Sequence, residues 1–109
     1  MLNISAIHIY TKNYFVIKDF YADTLKLLST YESPENDYIE YDTGAAKLVI
    51  QKSNQDVKNK ITLCFKTEDV KSFRKKLQEN NVQLSPLKMV LGKLSFNIKD
   101  PDGNEIQII

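Results

Sequence analysis

The same order of apolar positions occurs twice along this chain of 109 residues. Four pairs of apolar residues, each separated by 56 positions, follow the same strand-then-helix pattern: Ile7 and Leu63, Ile9 and Phe65, Ile17 and Phe73, Tyr21 and Leu77. The paired residues are rarely identical, so the repeat concerns shape. A repeat of this length is typical of two supersecondary units that share a core. We expect one domain over residues 1–109, with modules at 3–52 and 60–109.

The first module begins with a strand in residues 4–11, where Ile7 and Ile9 alternate with polar or small residues. Asn13 is a candidate N-cap for an amphipathic helix that the apolar spacing extends to about residue 28. Pro34 and its neighbours break the pattern. Residues 38–42 and 47–51 then predict a hairpin, with Tyr41 opposite Leu48 and Ile39 opposite Ile50.

The second module restarts after the polar segment 53–59. Residues 61–66 predict a strand, and Thr67 is a candidate cap for a helix ending near Asn80-Asn81. Short strands are expected at 82–84 and within 89–98. The sequence Asp100-Pro101-Asp102-Gly103 predicts a tight turn before a last strand at 105–109, because proline fixes φ and glycine accepts positive φ.

Composition narrows the classes of function. Fifteen basic and fourteen acidic residues give a net charge of +1, so no overall field attracts a polyanion, and nucleic acid is not an expected partner. The basic run at 71–76 is flanked by acidic residues and predicts a solvated helix face. Cys64 is the single cysteine, which excludes an intramolecular disulfide. Without a signal-like or membrane-spanning apolar run, we expect a soluble, cytoplasmic protein.

Two sequence elements carry a resemblance to a known superfamily: Phe20-Tyr21 in the first helix and Asp100-Pro101-Asp102-Gly103-Asn104 before the last strand. With these elements set in two βαβββ modules, the chain resembles the glyoxalase, bleomycin-resistance and extradiol dioxygenase (vicinal oxygen chelate) superfamily. The resemblance implies an α+β fold in which a curled mixed sheet carries its helices on the convex face. It also implies a cleft where four side chains, usually His, Gln or Glu, hold a metal.

The positions that match those metal ligands are Ala6, Val49, Thr62 and Gln107. Alanine and valine carry no donor atom, and a neutral hydroxyl or amide is a poor substitute for imidazole or carboxylate. We therefore expect no metal and no other cofactor. A shift of two residues along the strands would bring in His8 and Glu105, but two ligands rarely suffice to hold a metal.

Strand parity predicts which side chains line the cleft. Those expected to bind a ligand are His8, Tyr10, Tyr38, Glu40, Gln51, Thr62, Cys64 and Gln107. Rings and hydrogen-bonding groups in this mixture suit a small organic molecule, although the same side chains could merely fill the sheet. Cys64 is flanked by apolar residues in its strand, and a cysteine in that setting is more typical of a buried small residue than of a nucleophile.

Three functions follow as alternatives. The sequence favours a metal-independent small-molecule-binding protein, of a sequestering or resistance type, with no residue assigned to catalysis. The first alternative is a lyase or isomerase of the same superfamily that uses His8, with Glu40 as its charged partner. The second is a homodimer whose interface is the function without a ligand, with Tyr14, Tyr31 and Tyr38 as exposed contributors. We also expect a homodimer if the protein is the small-molecule-binding protein that the sequence favours.

Overall fold

The computed structural model describes residues 2–109 and divides them into a first compact unit ending at Asn59 and a second from Lys60 to Ile109. Each unit contains a four-stranded mixed sheet and a helix. This arrangement confirms the expected α+β class with the order of two βαβββ modules. In the part of the chain described, no helix has the length and apolar content needed to cross a membrane.

The first unit has the sheet order β1-β4-β3-β2. Its elements are β1 (Ala6–Thr11), α1 (Tyr14–Asp19), β2 (Leu28–Ser33), β3 (Tyr38–Asp42) and β4 (Lys47–Lys52). β1 pairs with β4 in parallel, and the β3 pairings with β2 and β4 are antiparallel. Tyr41 lies opposite Leu48 and Ile39 opposite Ile50, so the predicted hairpin register is confirmed.

One face of the first sheet forms the core of the unit, because its apolar residues meet the apolar side of α1. Ile9, Ile39 and Ile50 are almost completely buried on the sheet, and Ile17 and Tyr21 on the helical segment. α1 packs against β4, and the hydroxyl of Tyr41 donates to the carbonyl oxygen of Lys18 at 2.7 Å. This face is therefore closed to ligands.

The helix is shorter than its apolar spacing predicts. α1 continues as a π-helical turn over Phe20–Thr24, and the backbone N–H of Leu27 then donates to the carbonyl of Tyr21. Lys26 adopts a positive φ of 60°, which ends the helix. The residues that follow form β2, which the sequence analysis missed because this edge strand is exposed and lacks alternating apolar residues.

The second unit has the sheet order β5-β8-β7-β6. Its elements are β5 (Leu63–Phe65), α2 (Val70–Glu79), β6 (Lys88–Val90), β7 (Lys93–Lys99) and β8 (Glu105–Ile108). β5 runs parallel to β8, and the other pairings are antiparallel. α2 packs against β7, and Leu77, Phe96 and Ile106 are buried in the core of this unit.

Three local predictions in the second unit need correction. Asp69, not Thr67, caps α2, because its carboxylate accepts the N–H of Ser72 at 3.0 Å. Residues 82–84 form a single bridge between Leu84 and Ile98 instead of a strand. The strand expected within 89–98 is two strands, because Leu91 and Gly92 both adopt positive φ and turn the chain.

Candidate functional site

The second face of the first sheet, opposite α1, brings together most of the predicted ligand-binding residues. In the register of the strands, Tyr31, Glu40, Val49 and His8 form one row across the sheet. The adjacent row contains Ser33, Tyr38, Gln51 and Tyr10. We call these eight residues the tyrosine face. Five of them, His8, Tyr10, Tyr38, Glu40 and Gln51, are predicted site residues.

Hydrogen bonding and ring contacts organise the tyrosine face. The hydroxyl of Tyr38 donates to the carboxylate of Glu40 at 2.7 Å, and this bond, together with burial, raises the pKa of Tyr38 above its ordinary value. The rings of Tyr31 and Tyr38 meet edge to face with centroids 6.1 Å apart. The rings of His8 and Tyr10 are stacked at 6.0 Å. Aromatic surface and a charged acceptor therefore lie side by side.

The face combines buried and accessible groups. Val49 is 1% exposed, whereas Tyr10 and Tyr31 are 39% and 55% exposed, and Glu40 is half-buried between these extremes. The carboxylate of Glu40 contacts no Lys, Arg or His nitrogen of residues 2–109 within 4.0 Å. His8 is thus not ion-paired with Glu40, and Val49 stands between them in the register.

Sequence reasoning missed Tyr31 as a member of this face. The register of β2 shifts between Ser29 and Tyr31, which leaves Thr30 as an extra residue and sets Tyr31 beside Glu40. A bulge changes the parity of every residue beyond it, and nothing in the polar segment 28–33 marks its position. The predicted exposure of Tyr31 is confirmed, whereas Tyr38 is half-buried. Tyr14 is 3% exposed, so the expectation that it contributes to an interface is wrong.

The remaining predicted residues lie in the second unit. Cys64 and Gln107 are neighbours in the register on the face opposite the core, and Thr62 is exposed just before β5. Gln107 Nε2 donates to the hydroxyl of the buried Ser95 at 3.2 Å. Cys64 is exposed, so the expectation of a buried small residue is wrong: its side chain points away from the core that Leu63 and Phe65 enter.

The second unit also contains an open cavity of about 600 Å³. It is lined by segment 83–85, the end of β7 and the turn that follows. Asn97 belongs to this lining, and its side-chain oxygen is buried without a hydrogen-bond partner among the described residues. This cavity was not predicted from the sequence, because residues 82–84 were expected to form a strand of the sheet.

The residues at the four positions that match the superfamily's metal ligands do not suit a metal. Ala6 and Val49 offer no donor atom, Thr62 offers a neutral hydroxyl, and the amide of Gln107 donates to Ser95. Among residues 2–109, no three His, Cys, Asp or Glu side chains are grouped to hold a metal ion. Glu105 lies 3.5 Å from the ammonium of Lys99. His8 belongs to the other unit.

Fold and site together define a class: two successive βαβββ modules in which the positions of the superfamily's metal ligands hold residues that do not suit a metal. The family model of the Glyoxalase/Bleomycin resistance protein/Dioxygenase superfamily matches residues 3–108 of the sequence. The chain belongs to this superfamily, as the Phe20-Tyr21 and Asp100–Asn104 elements indicated. No curated protein matches the sequence.

Solved structures support the same fold. A lactoylglutathione lyase from Agrobacterium tumefaciens is 20% identical with a TM-score of 0.78, covering 96% of this chain and 90% of its own. TnmS3, an antibiotic binding protein from Streptomyces sp. CB03234, is 22% identical with a TM-score of 0.84, covering 99% and 94%. An integron cassette protein from the Halifax Harbour sewage metagenome has a TM-score of 0.85 at 15% identity, covering 99% and 97%. At these identities the likeness concerns the fold alone.

Proposed function

We propose that this protein binds a small organic molecule on the tyrosine face without a metal ion. The observation that carries the proposal is the arrangement of Tyr38, Glu40 and Tyr31, where rings and a carboxylate converge on one accessible sheet surface. Rings supply contact area, and a few polar atoms fix orientation, which is the usual composition of a ligand site. The similarity to an antibiotic binding protein supports binding as a role for this fold.

The proposal includes an assembly and a location. We propose a homodimer, since closed two-fold assemblies are the commonest oligomers, and a cytoplasmic protein, since Cys64 is the single cysteine and stays free. Thr62, Cys64 and Gln107 remain proposed ligand contacts of the second unit. Light scattering coupled to size-exclusion chromatography should give twice the monomer mass, and a monomer at all concentrations would contradict the dimer.

Native mass spectrometry of freshly purified full-length protein tests the binding role, with metal analysis of the same sample. We expect an organic adduct that is lost on denaturation and a transition-metal content far below one per chain. Replacing Tyr38 with alanine should remove the adduct. Replacing Phe15 with alanine, which removes an exposed ring from α1 and not from the tyrosine face, serves as a matched control. A stoichiometric transition metal, or an adduct unaffected by Tyr38→Ala, would contradict the proposal.

An enzymatic role is the second candidate, since His8 is accessible and stacked on Tyr10. Its imidazole has no carboxylate within ion-pair distance among the described residues, so nothing on this face fixes it as a base. If the adduct is turned over, His8→Ala should abolish turnover while leaving affinity intact. A loss of affinity alone would identify His8 as a binding residue.

A further inference from the structure

Glu40 carries a charge that the rest of the structure does not balance. The side chain is half-buried in the sheet, and the Tyr38 hydroxyl at 2.7 Å is a neutral donor. No basic nitrogen of residues 2–109 lies within 4.0 Å of the Glu40 carboxylate. A carboxylate withdrawn in part from water is stabilised most by a positive partner. The other half-buried acidic side chains near this sheet, Asp37 and Glu32, each have a lysine partner.

The immediate neighbours of Glu40 favour a cation of organic type. Tyr31 is the register partner of Glu40 on β2, and its ring meets the ring of Tyr38 at 6.1 Å. The π-face of an aromatic ring is electron-rich and attracts cations, most strongly those with a weak hydration shell. A metal ion needs several oxygen or nitrogen ligands, and the cluster around Glu40 contains one carboxylate. A carboxylate beside tyrosine rings instead suits an alkylammonium or a planar aromatic cation.

Local charge points the same way, although the whole chain is slightly basic. Alternation along β3 sets Asp42 on the same side of the sheet as Glu40. Lys47 lies on that side as well, and the antiparallel register that pairs Tyr41 with Leu48 sets it across the hairpin from Asp42, so these two charges offset each other. The row that holds Glu40 contains no basic residue apart from the His8 imidazole at its other end. The one carboxylate of that row, Glu40, therefore faces no Lys or Arg of its own row, although the whole chain has a net charge of +1.

We infer that the ligand of the tyrosine face is an organic cation, whose positive group contacts the Glu40 carboxylate while its apolar part lies against Tyr31 and Tyr38. This inference rests on the proposed function and names its ligand class. Tyr38 contributes twice, through its ring and by orienting the Glu40 carboxylate. Glu40 supplies selectivity for charge, and Tyr31 supplies contact area, so the two contributions are separable by substitution.

Titrations of the full-length protein followed by amide NMR shifts test the inference. The probes are choline, its neutral isostere 3,3-dimethylbutan-1-ol, benzyltrimethylammonium and benzyl alcohol. We expect the cations to bind at least about tenfold more tightly than their neutral counterparts, with shifts at β2 and β3. Glu40→Gln should reduce cation affinity about tenfold and leave the neutral probes unchanged. The matched control is Glu68→Gln, an equal charge change at an exposed loop residue of the second unit.

Substitutions of Tyr31 separate ring contact from charge. Tyr31→Phe should retain cation binding, and Tyr31→Leu should weaken it several-fold. Equal affinity for charged and neutral probes, an unchanged cation affinity in Glu40→Gln, or no binding of either cation would overturn the inference. An endogenous adduct that is neutral or anionic and depends on Tyr38 but not on Glu40 would overturn the inference and leave the proposed function standing. The absence of any adduct together with silent titrations would remove both.

Discussion

Two buried tyrosines of the first unit differ in whether the hydroxyl has a hydrogen-bond partner. Tyr41 and Tyr14 are both at most 3% exposed. The Tyr41 hydroxyl donates to the Lys18 carbonyl, whereas the Tyr14 hydroxyl has no partner among the described residues. A buried polar group without a partner costs free energy, and a satisfied one contributes modestly to stability. The two hydroxyls therefore have opposite effects on the free energy of unfolding.

Removing the two hydroxyls separately tests this difference. Tyr41→Phe should lower the free energy of unfolding by about 1 kcal/mol, because a buried hydrogen bond is lost. Tyr14→Phe should leave it unchanged or raise it, because the ring packing is kept and an unsatisfied hydroxyl is removed. Urea denaturation of the two variants measures both values. Equal destabilisation by the two substitutions would show that the Tyr14 hydroxyl has a partner in solution.

The same hydroxyls predict how stability responds to alkaline pH. Burial, and then the negative charges of Glu32 and Asp37, raises the pKa of Tyr14 to about 12, and burial raises the pKa of Tyr41 further. Unfolded tyrosine ionises near pH 10. Below about pH 10 both states keep the proton, so this contribution to stability is fully present; above it the unfolded state ionises first, and stability falls as pH rises toward 12.

Urea midpoints measured at intervals from pH 9 to the alkaline limit of folding should therefore decline in the wild type. The decline should be shallower in Tyr14→Phe, which has one fewer group with a raised pKa. The control is Tyr10→Phe, because Tyr10 is 39% exposed on the tyrosine face. Parallel curves for the wild type and Tyr14→Phe would contradict the raised pKa of Tyr14.

At the scale of elements, the turn after β7 is held by one side chain. Asp100 is 4% exposed; its Oδ1 accepts the N–H groups of Asp102 and Asn104, and its Oδ2 accepts Asn104 Nδ2 at 2.7 Å. Gly103 adopts a positive φ of 86°. The turn was predicted from sequence because its residue types encode these bonds locally. The superfamily signature in this chain is thus the element that joins β7 to β8.

Asp100→Ala should lower the free energy of unfolding by about 3 kcal/mol, because charge-assisted bonds are lost and the buried Asn104 amide loses an acceptor. The loss should be accompanied by faster amide hydrogen exchange in β7 and β8. Asp56→Ala is the control, since that carboxylate is 94% exposed and pairs with Lys12 at the surface. A cost below 1 kcal/mol would show that Pro101 and Gly103 suffice to form the turn.

The hairpin between β6 and β7 contains a strained residue with no compensating contact. Leu91 has a φ of +50° and is 97% exposed, and Gly92 follows with a φ of +78°. Two positive φ values define a turn that favours Asn-Gly, and leucine pays a steric cost there. Leu91→Asn should therefore raise the free energy of unfolding by about 0.5 to 1 kcal/mol. Thermal unfolding would detect this gain, and a lower melting temperature would contradict it.

Helices and strands were predictable where a local pattern of apolar residues marks them. They were missed where pairing with a neighbouring strand determines the backbone conformation. The β3-β4 register followed from the alternation of Ile39, Tyr41, Leu48 and Ile50. β2 was missed because its apolar residues Leu28 and Tyr31 are 76% and 55% exposed, so burial does not enforce a period. The β6-β7 turn was missed because Leu91 is not a turn residue by type. Propensity fails at such edges, where neighbouring strands impose the conformation.

On the scale of the whole molecule, parity predicted the composition of the candidate site but not its electrostatic character. Alternation along β1, β3 and β4 assigned His8, Tyr38, Glu40 and Gln51 to one face, and the register confirms that placement. Whether Glu40 has a counter-ion depends on pairings between distant strands, which spacing does not encode. A net charge of +1 likewise does not reveal that Glu40 lacks an ion-pair partner among the described residues.

The net charge also predicts that the protein does not bind nucleic acid. The basic run on α2 is the feature that would favour such binding. The structure leaves fewer cations of that run available to bind phosphate, because the Arg74 guanidinium donates to the carbonyl of Ser85 and lies over the ring of Phe96. At the start of α2, Asp69 adds a negative charge. Phosphate contacts require several free cations on one surface, because each contributes through counterion release.

Fluorescence anisotropy with a labelled random-sequence duplex should therefore detect no binding in the roughly micromolar range typical of nonspecific DNA-binding proteins at physiological salt. Lowering the salt concentration should produce only weak association with a shallow salt dependence, since only Lys71, Lys75 and Lys76 are exposed cations of this helix without an ion-pair partner in the described structure. Micromolar affinity with a steep salt dependence, lost in a triple variant with Lys71→Ala, Lys75→Ala and Lys76→Ala, would show that α2 is a phosphate-binding surface despite the low net charge of the chain.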